Sequence, residues 1–215
     1  MYAMEQVLTG MAGHGAAFFA HSQTAGKGQR GKTWQSEPGA NIALSVVADS
    51  SFLSVSETFS LSVGVALAVH DAIHIHTGEE TLLKWPNDLY WRDRKAGGIL
   101  IENNIRGQSW PWSVIGVGIN VNQTRFQKEL GRAVSLKQIT GKDHNPLQLA
   151  KEICAALEVR YRQLLDGNFE KLLQRYNELL FAKGQQVTLK KDNIVFSCTI
   201  EGVSDWGELM VSGAM

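Results

Sequence analysis

The residues best suited to chemistry are six that lie within seven positions near the N-terminus. They are three glycines and three cations: Gly26, Lys27, Gly28, Arg30, Gly31 and Lys32. Glycine lets backbone N–H groups approach an anion closely, and the cations place positive charge around it. We interpret this stretch as a loop that binds a phosphate or a carboxylate. The alternative is a solvated loop whose charges bind nothing.

The same stretch matches two nucleotide-binding patterns, and its surroundings argue against both. G-x-G-x-x-G and G-x-x-x-x-G-K-T each require a helix that opens at the loop. Between Thr33 and a strand predicted from Asn41 there are seven residues, including Pro38 and Gly39. This length holds at most about two helical turns of 3.6 residues. We therefore predict that no phosphate-binding helix follows the loop.

A second polar cluster follows a strand predicted to end at residues 84–86. Pro86 keeps the preceding residue extended and ends a central strand, so Asn87 and Asp88 lie at the strand terminus. A carboxylate there can hold Mg²⁺ or accept a proton. An Asx turn that opens a hairpin to residues 89–91 is an equally good interpretation.

Lys95 stands just before Gly97 and Gly98, which open the next predicted strand. Without side chains at these glycines, a ligand can approach the backbone close to Lys95. A single flexible positive charge suits a carboxylate that is being activated. A plain surface charge is the commoner fate of a lysine.

A third apolar strand, predicted over residues 112–120, contains Gly116 and Gly118 and ends at Asn120. It indicates either backbone close to a ligand or a bend in a core strand. Trp34, at the end of the glycine loop, is a core anchor or a stacking platform for a ring; taken alone, the anchor is the better interpretation.

Hydrophobic periodicity predicts the elements that position these residues. Strands are predicted at 16–21, 41–47, 81–85, 98–102 and 112–120, and short strands at 186–189, 195–200 and 208–211. A buried helix follows the capping-box pair Ser54 and Glu57. A second helix starts with Asn145 as N-cap and Pro146, and a third runs from Asn168 to Leu180.

Composition limits the protein class. The 215 residues are 44% hydrophobic and 20% charged, and 21 Lys plus Arg balance 21 Asp plus Glu. A net charge of zero argues against nucleic-acid binding by bulk electrostatics. We see no apolar run near the roughly 18 residues of a membrane span and no signal-peptide pattern, so we expect no membrane association and a cytoplasmic protein.

The cysteines and histidines do not predict a disulfide or a metal site. Cys154 and Cys198 are far apart and form no CxxC pattern, so we expect buried free thiols. His70 and His74 share a helical face near His76, but no acid or cysteine on that helix completes a metal site.

Four blocks in order resemble the biotin protein ligases, also called biotin–acetyl-CoA-carboxylase ligases. The blocks are residues 23–34 (QTAGKGQRGKTW), 84–90 (KWPNDLY), 94–100 (RKAGGIL) and 116–120 (GVGIN). The resemblance implies an α+β fold: a mixed β-sheet backed by helices, like a class II synthetase catalytic domain, with a small C-terminal SH3-like β unit. We place the catalytic domain at residues 1–182 and the β unit at 183–215.

The resemblance also implies a reaction and its residues. Biotin would attack the α-phosphate of Mg-ATP to give biotinyl-AMP, and a lysine of a biotin carboxyl carrier domain would then accept the biotinyl group. A biotin and acyl-phosphate site is implied for Gln23, Gly26, Lys27, Gly28, Gln29 and Lys95. A nucleotide and metal site is implied for Arg30, Lys32, Trp34, Asn87, Asp88 and Asn120, with Asp88 as the Mg²⁺ ligand. Gly98 and Gly118 are implied as further cofactor-binding residues. The catalytic residues implied are Lys95, Asp88, Lys27 and Arg30, with Asp88 also a hypothetical base for the acceptor amine.

The sequence departs from the family pattern in three places. The family loop usually carries arginine at the position of Lys27 and often at that of Gln29, and lysine lacks the bidentate fork. The Ser-Thr-Asn segment before the first helix has no counterpart, and the C-terminus looks short, so we expect a truncated chain with weaker biotin binding. No residues precede the catalytic region, which disfavours a DNA-binding repressor; a homodimer stays open.

Other functions stay open on the sequence alone. A lipoate or octanoate transferase shares a similar fold, although the three-cation loop and residues 84–88 argue against it. A P-loop kinase would need a helix that begins at Lys32. A catalytically silent biotin-binding module is the alternative from a different functional class.

Overall fold

A six-stranded antiparallel sheet forms the centre of the protein in a computed structural model that describes residues 2–127 and 131–213. The strands are β1 (Ala17–Phe19), β2 (Ile42–Asp49), β3 (Thr81–Lys84), β4 (Asp88–Trp91), β5 (Arg94–Arg106) and β6 (Ser109–Ile119). Their order across the sheet is β1-β2-β6-β5-β4-β3. The central strand β6 therefore lies between β5, which directly precedes it in the sequence, and β2, which comes from a distant part of the sequence.

The two faces of the central strands differ in side-chain size. Leu44, Val117 and Ile99 point to one face and join the hydrophobic core. The alternate positions on the opposite face include Ala43, Gly118 and Gly98, which are aligned in register across β2, β6 and β5. Because side chains alternate between faces along a strand, this pattern gives a packed face and an open one.

Helices cover the packed face. The helices of the protein are α1 (Tyr2–Leu8), α2 (Thr58–Thr77), α3 (Leu136–Thr140), α4 (Pro146–Leu165) and α5 (Phe169–Glu178). The capping box of Ser54 and Glu57 is present as predicted, and a short 3₁₀ turn separates it from α2. Asn145 caps α4 as predicted, with its side-chain oxygen accepting from the N–H groups of Leu147 and Gln148.

The long helix α2 is apolar enough to resemble a membrane span by length and composition. Two thirds of its most apolar window, 67%, is buried inside the protein. It packs on α4, where Gly64 allows Leu164 to approach closely. The expectation that no apolar run approaches membrane length therefore needs correction: α2 has that length, and the core it fills explains its composition.

Strands β7 (Gln186–Lys191), β8 (Ile194–Val203) and β9 (Leu209–Ser212) form a second antiparallel sheet. It packs on the larger unit through the turn between β8 and β9, because the indole N–H of Trp85 donates to the carbonyl of Gly207 at 2.9 Å. The boundary predicted after residue 182 falls in the segment between α5 and β7.

The structure differs in detail from the sequence predictions for strand pairing, strand length and cysteine burial. All named strand pairs are antiparallel, and the parallel component of the predicted mixed sheet consists of isolated bridges such as Leu83 with Leu180. Strands β5 and β6 extend well beyond the predicted segments as one long hairpin. Cys198 is buried as expected, whereas Cys154 is only partly buried because it lies on α4 beside a small cavity.

Candidate active site

A cavity of about 550 Å³ opens on the uncovered face of the sheet. This volume lies within the range of small-molecule sites. Of the site residues that the resemblance implied, all but Gly26 lie on its wall, and Gly31 of the loop does not line it either: the lining residues among them are Gln23, Lys27, Gly28, Gln29, Arg30, Lys32, Trp34, Asn87, Asp88, Lys95, Gly98, Gly118 and Asn120. Four separate sequence blocks therefore meet at one place.

Small residues make the floor of this cavity. Gly98, Gly118 and Ala43 form one row across β5, β6 and β2, and Gly116 with Ser45 belongs to the next row. Larger side chains at these positions would fill the space above the sheet. The sequence indicated the glycines; Ala43 and Ser45 carried no signal, because their places depend on how β2 pairs with β6.

The glycine loop folds back on itself as a narrow hairpin. The N–H of Trp34 donates to the carbonyl of Gly26 at 2.9 Å, and the N–H of Gly28 donates to the carbonyl of Lys32 at 2.7 Å. A Cβ on Gly26 would lie 2.4 Å from the carbonyl oxygen of Trp34. Gly26 is thus required for the hairpin although it does not line the cavity.

The tip of the hairpin is a single 3₁₀ turn, Gln29–Gly31, and no α-helix begins in the loop. Arg30 has a left-handed backbone there, with φ 57° and ψ 41°. A non-glycine residue in this region carries a cost of order 1 kcal/mol that surrounding structure must offset. The absence of a helix confirms the prediction against a P-loop, and a P-loop kinase is excluded.

The three loop cations face solvent around the cavity. Lys27, Arg30 and Lys32 are exposed. Among the residues that the structure describes, none of the three forms an ion pair with a carboxylate within 4.0 Å. Their charge is available to an anionic ligand in the cavity.

Trp34 lies flat against the floor. A Cβ on Gly118 would be 2.6 Å from Cε2 of the indole, so only glycine at this position lets the ring settle over β6. The buried indole nitrogen of Trp34 has no hydrogen-bond partner among the described residues. The indole packs against the sheet and also lines the cavity, and its role as a stacking platform stays a prediction.

Lys95 and Asp88 form an ion pair opposite the loop. Nζ of Lys95 lies 2.6 Å from Oδ1 of Asp88 across the β4–β5 pair. A Cβ on Gly98 would come within 3.4 Å of both groups, so Gly98 gives the pair its space. The side chains are 34% and 21% exposed, which leaves the ammonium accessible from the cavity.

The two asparagines hold backbone in place around this pair. The amide of Asn87 donates to the carbonyl of Ile99 at 2.7 Å. The amide of Asn120 donates to the carbonyl of Val134 at 3.2 Å and approaches that of Lys95 at 3.4 Å. Both asparagines line the cavity, but their amide N–H groups are already used by the fold.

Four other residues of the cavity wall were not predicted as site residues from the sequence. Trp85, Tyr90, Leu100 and Phe126 lie on its wall. Trp85 and Tyr90 belong to the quoted block at 84–90, so their aromatic character was a usable signal. Phe126 lies in an irregular segment, and nothing in its local sequence connects it to the site.

Residues 5–120 match the model of the Biotin/lipoate A/B protein ligase family. The chain belongs to this family. The match contains all four sequence blocks and the whole arrangement of loop, ion pair and sheet floor. Membership of the Biotin/lipoate A/B protein ligase family confirms the expected fold.

Two related proteins are similar to this chain over most of its length. The Bacillus subtilis bifunctional ligase/repressor BirA is 29% identical over 200 residues, and the match covers 92% of this chain and 61% of BirA. The Mycobacterium tuberculosis biotin–[acetyl-CoA-carboxylase] ligase is 34% identical over 159 residues, with 72% and 57% covered. The chain thus spans about 60% of the length of these relatives.

A solved structure of biotin protein ligase from Aquifex aeolicus in complex with biotin and ATP has the same fold. It superposes with a TM-score of 0.80 at 24% identity and covers 93% of this chain and 83% of its own. The Leishmania major enzyme in complex with biotinyl-5-AMP superposes with a TM-score of 0.61 at 23% identity, covering 99% and 92%. At these identities the likeness establishes the architecture.

Proposed function

We propose that the protein is an ATP-dependent biotin ligase. The observation that carries this proposal is the cavity in which three loop cations face the Lys95–Asp88 pair over a floor of glycines. Named biotin ligases among the relatives support biotin as the acid that is activated. We expect the protein to act in the cytoplasm.

In the first half-reaction the carboxylate of biotin attacks the α-phosphate of ATP and pyrophosphate leaves. Carboxylate and triphosphate repel each other, so fixed cations must bring them together and stabilise the charge that develops on the phosphoryl oxygens. We assign Lys95 to the carboxylate and the acyl phosphate. We assign Lys27, Arg30 and Lys32 to the phosphates, with the indole of Trp34 beside the adenine.

In the second half-reaction a lysine amine of the acceptor attacks the biotinyl carbonyl, AMP leaves and the amine loses a proton. Asp88 is the nearest described carboxylate to Lys95, and it accepts a hydrogen bond from the ammonium. This contact suits a positioning role, in which Asp88 aims Lys95 at the acyl phosphate. The base role of Asp88 is a second proposal, and it requires the ion pair to open.

Magnesium enters this reaction with ATP as part of the substrate. Among the described residues no group of three or more histidine, cysteine or acidic side chains could hold a metal ion. Mg²⁺ commonly uses one or two carboxylates together with substrate phosphates. Asp88 fits as one such ligand, in competition with Lys95.

The acceptor we propose is the biotin carboxyl carrier domain of a biotin-dependent carboxylase. Its lysine must reach the cavity between the loop and Lys95. Association with a second copy of the chain is a separate proposal that equilibrium sedimentation of the purified protein would test.

The alternative within the family is transfer of lipoate or octanoate. ATP–pyrophosphate exchange, measured with biotin, lipoate or octanoate in turn, separates the functions. We expect exchange with biotin alone, followed by a mass gain of one biotinyl group on a purified carrier domain. A carrier whose target lysine is replaced by arginine is the control. Exchange with octanoate or lipoate would overturn the biotin assignment. No exchange with any of the acids would also overturn it, and would leave an acyl transferase that uses no ATP or a silent binding module.

A further inference from the structure

A buried carboxylate oxygen without a partner lies on β5, on the face of the sheet that carries the cavity. Oε2 of Glu102 is buried and accepts no hydrogen bond from any described residue, and it is the one carboxylate oxygen in that state within the described ranges. No ion pair of the described residues includes Glu102. A buried acceptor that has lost water and gained no donor destabilises the folded protein. A ligand that brings a donor to this oxygen removes that cost.

The register of β5 places Glu102 in line with the cavity floor. Gly98, Leu100 and Glu102 occupy alternate positions of β5, and no register shift interrupts its pairing with β6 over this stretch. Alternate residues of a strand point to the same face of the sheet. Gly98 and Leu100 both line the cavity. Glu102 is therefore the next residue on that face, on the side of Leu100 that is away from Lys95.

Three kinds of group follow one another along this face of β5. The ammonium of Lys95 lies 3.4 Å from the Cβ position of Gly98, the side chain of Leu100 is apolar, and Glu102 ends the series with an acceptor. A ligand that matches this order has a carboxylate, an apolar middle and an N–H donor at its far end. Biotin has all three, because its ureido group carries N–H donors. Octanoate ends in a methyl group and lipoate in a cyclic disulfide, and neither of these ends donates a hydrogen bond.

The length of biotin also fits the spacing along the strand. Glu102 is four residues after Gly98, which corresponds to about 13 Å along a β-strand. From its carboxyl carbon to its nearer ureido nitrogen, extended biotin spans about 9 Å by standard bond lengths. A hydrogen bond of about 2.8 Å at each end extends its reach to about 15 Å. The difference is smaller than the length of a glutamate side chain, so one molecule can contact Lys95 and Glu102 together.

We propose that Glu102 accepts a hydrogen bond from a ureido N–H of biotin and selects biotin over acids without such a donor. This inference rests on the proposed function, in which biotin is the acid that Lys95 holds. It adds a residue that determines specificity and takes no part in the chemistry at the phosphate. When octanoate or lipoate fills the same space, Oε2 stays buried and unpaired, so these acids bind less tightly.

The test measures binding separately from catalysis. Isothermal titration calorimetry gives Kd for biotin, dethiobiotin, octanoate and ATP with the unmodified protein, Glu102→Leu and Glu102→Gln. Dethiobiotin keeps the ureido group without the sulfur-containing ring. Leucine removes the acceptor, whereas glutamine keeps an acceptor oxygen at the same distance from the backbone. Glu170→Leu is the matched control, because Glu170 is exposed on α5 and the same charge is removed there. Thermal melting checks the fold of each variant.

We expect Kd for biotin and dethiobiotin to rise at least tenfold in Glu102→Leu and by less in Glu102→Gln, with Kd for ATP within twofold of the unmodified protein. Kd for octanoate should stay the same or fall in Glu102→Leu, because the unpaired oxygen is gone. Glu170→Leu should match the unmodified protein with every ligand. An unchanged Kd for biotin in Glu102→Leu would overturn the proposal. An equal weakening of octanoate or ATP would also overturn it, since Glu102 would then have a structural role.

The same measurements distinguish this proposal from the proposed function. If the unmodified protein binds biotin but shows no biotin-dependent ATP–pyrophosphate exchange, the ligase assignment is wrong, and the titrations still decide the role of Glu102. If the unmodified protein binds no biotin, both proposals are wrong.

Discussion

Lys95 is the residue on which activation of the acid depends most directly. Its ammonium lies 2.6 Å from Asp88 and faces the cavity. Lys95→Gln removes the positive charge at nearly constant size, so we expect biotin-dependent ATP–pyrophosphate exchange to fall about 10²–10³-fold, as when a single charge-stabilising donor is lost. Lys95→Arg keeps the charge and should retain more activity. Equal exchange rates for Lys95→Gln and the unmodified protein would contradict the assignment.

Substitution of Asp88 distinguishes between two roles of its carboxylate, which either positions Lys95 or accepts a proton. Asp88→Asn keeps the size of the side chain but removes the charge that holds Lys95. If Asp88 positions Lys95, formation of biotinyl-AMP should fall at least tenfold, and transfer from added biotinyl-AMP should change little. If Asp88 is the base, transfer should fall and should regain rate as the pH rises. Full transfer from added biotinyl-AMP refutes the base role.

Gly118 determines whether Trp34 can reach the floor of the cavity. Gly118→Ala places a Cβ at 2.6 Å from the indole, so the ring must move away from β6. We expect KM for ATP to rise roughly tenfold and the free energy of unfolding to fall by about 1–3 kcal/mol, the range for overpacking. Steady-state kinetics and tryptophan fluorescence measure these effects. The control is Gly13→Ala, where a Cβ meets nothing within 4 Å.

The first turn of α4 shows what a local capping signal contributes to stability. The side-chain oxygen of Asn145 accepts from the N–H groups of Leu147 and Gln148. Asn145→Ala should lower the free energy of unfolding by about 1 kcal/mol in urea titrations. Asn168 at the start of α5 makes no such bond, so Asn168→Ala should change stability by less than about 0.5 kcal/mol. Equal losses in the two variants would show that the cap is not the cause.

The pairing of α2 with α4 gives the whole fold a pH dependence in acid. The guanidinium of Arg160 donates through Nε and Nη2 to one carboxylate oxygen of Asp71. Burial by itself raises the pKa of Asp71, but hydrogen bonds from His70 and Arg160 outweigh it and hold the pKa below the ordinary value of an aspartate. A carboxyl group whose pKa is lowered on folding stabilises the protein above about pH 4, and this stability is lost as the pH falls through the folded value.

Asp71→Asn should therefore cost about 1–2 kcal/mol at pH 7, the lower part of the range for hydrogen bonds to charged groups. The difference from the unmodified protein should shrink toward pH 3. Urea titrations between pH 7 and pH 3 measure it. Arg162→Met is the control, because Arg162 pairs with Glu158 on the exposed side of α4 and should cost little at any pH. A constant difference down to pH 3 would contradict the mechanism.

Much of the site could be predicted because the conformation of each of its segments depends on residues close to it in the sequence. Pro86 ends a strand beside Asn87 and Asp88, and the spacing between Thr33 and Asn41 leaves no room for a phosphate-binding helix. Apolar periodicity and caps predicted α2, α4 and α5. The five-residue helix α3 was missed, because it is too short for a periodic pattern to be visible.

By itself the sequence determined which groups are present, where most of the strands and the three long helices lie, and that no helix follows the glycine loop. Only the tertiary structure decided that Trp34 rests on Gly118, that Asp88 pairs with Lys95 and that Ser45 belongs to the floor. The physical reason is strand register: a shift of one residue turns every side chain to the opposite face, so contacts across the sheet depend on pairings between distant segments.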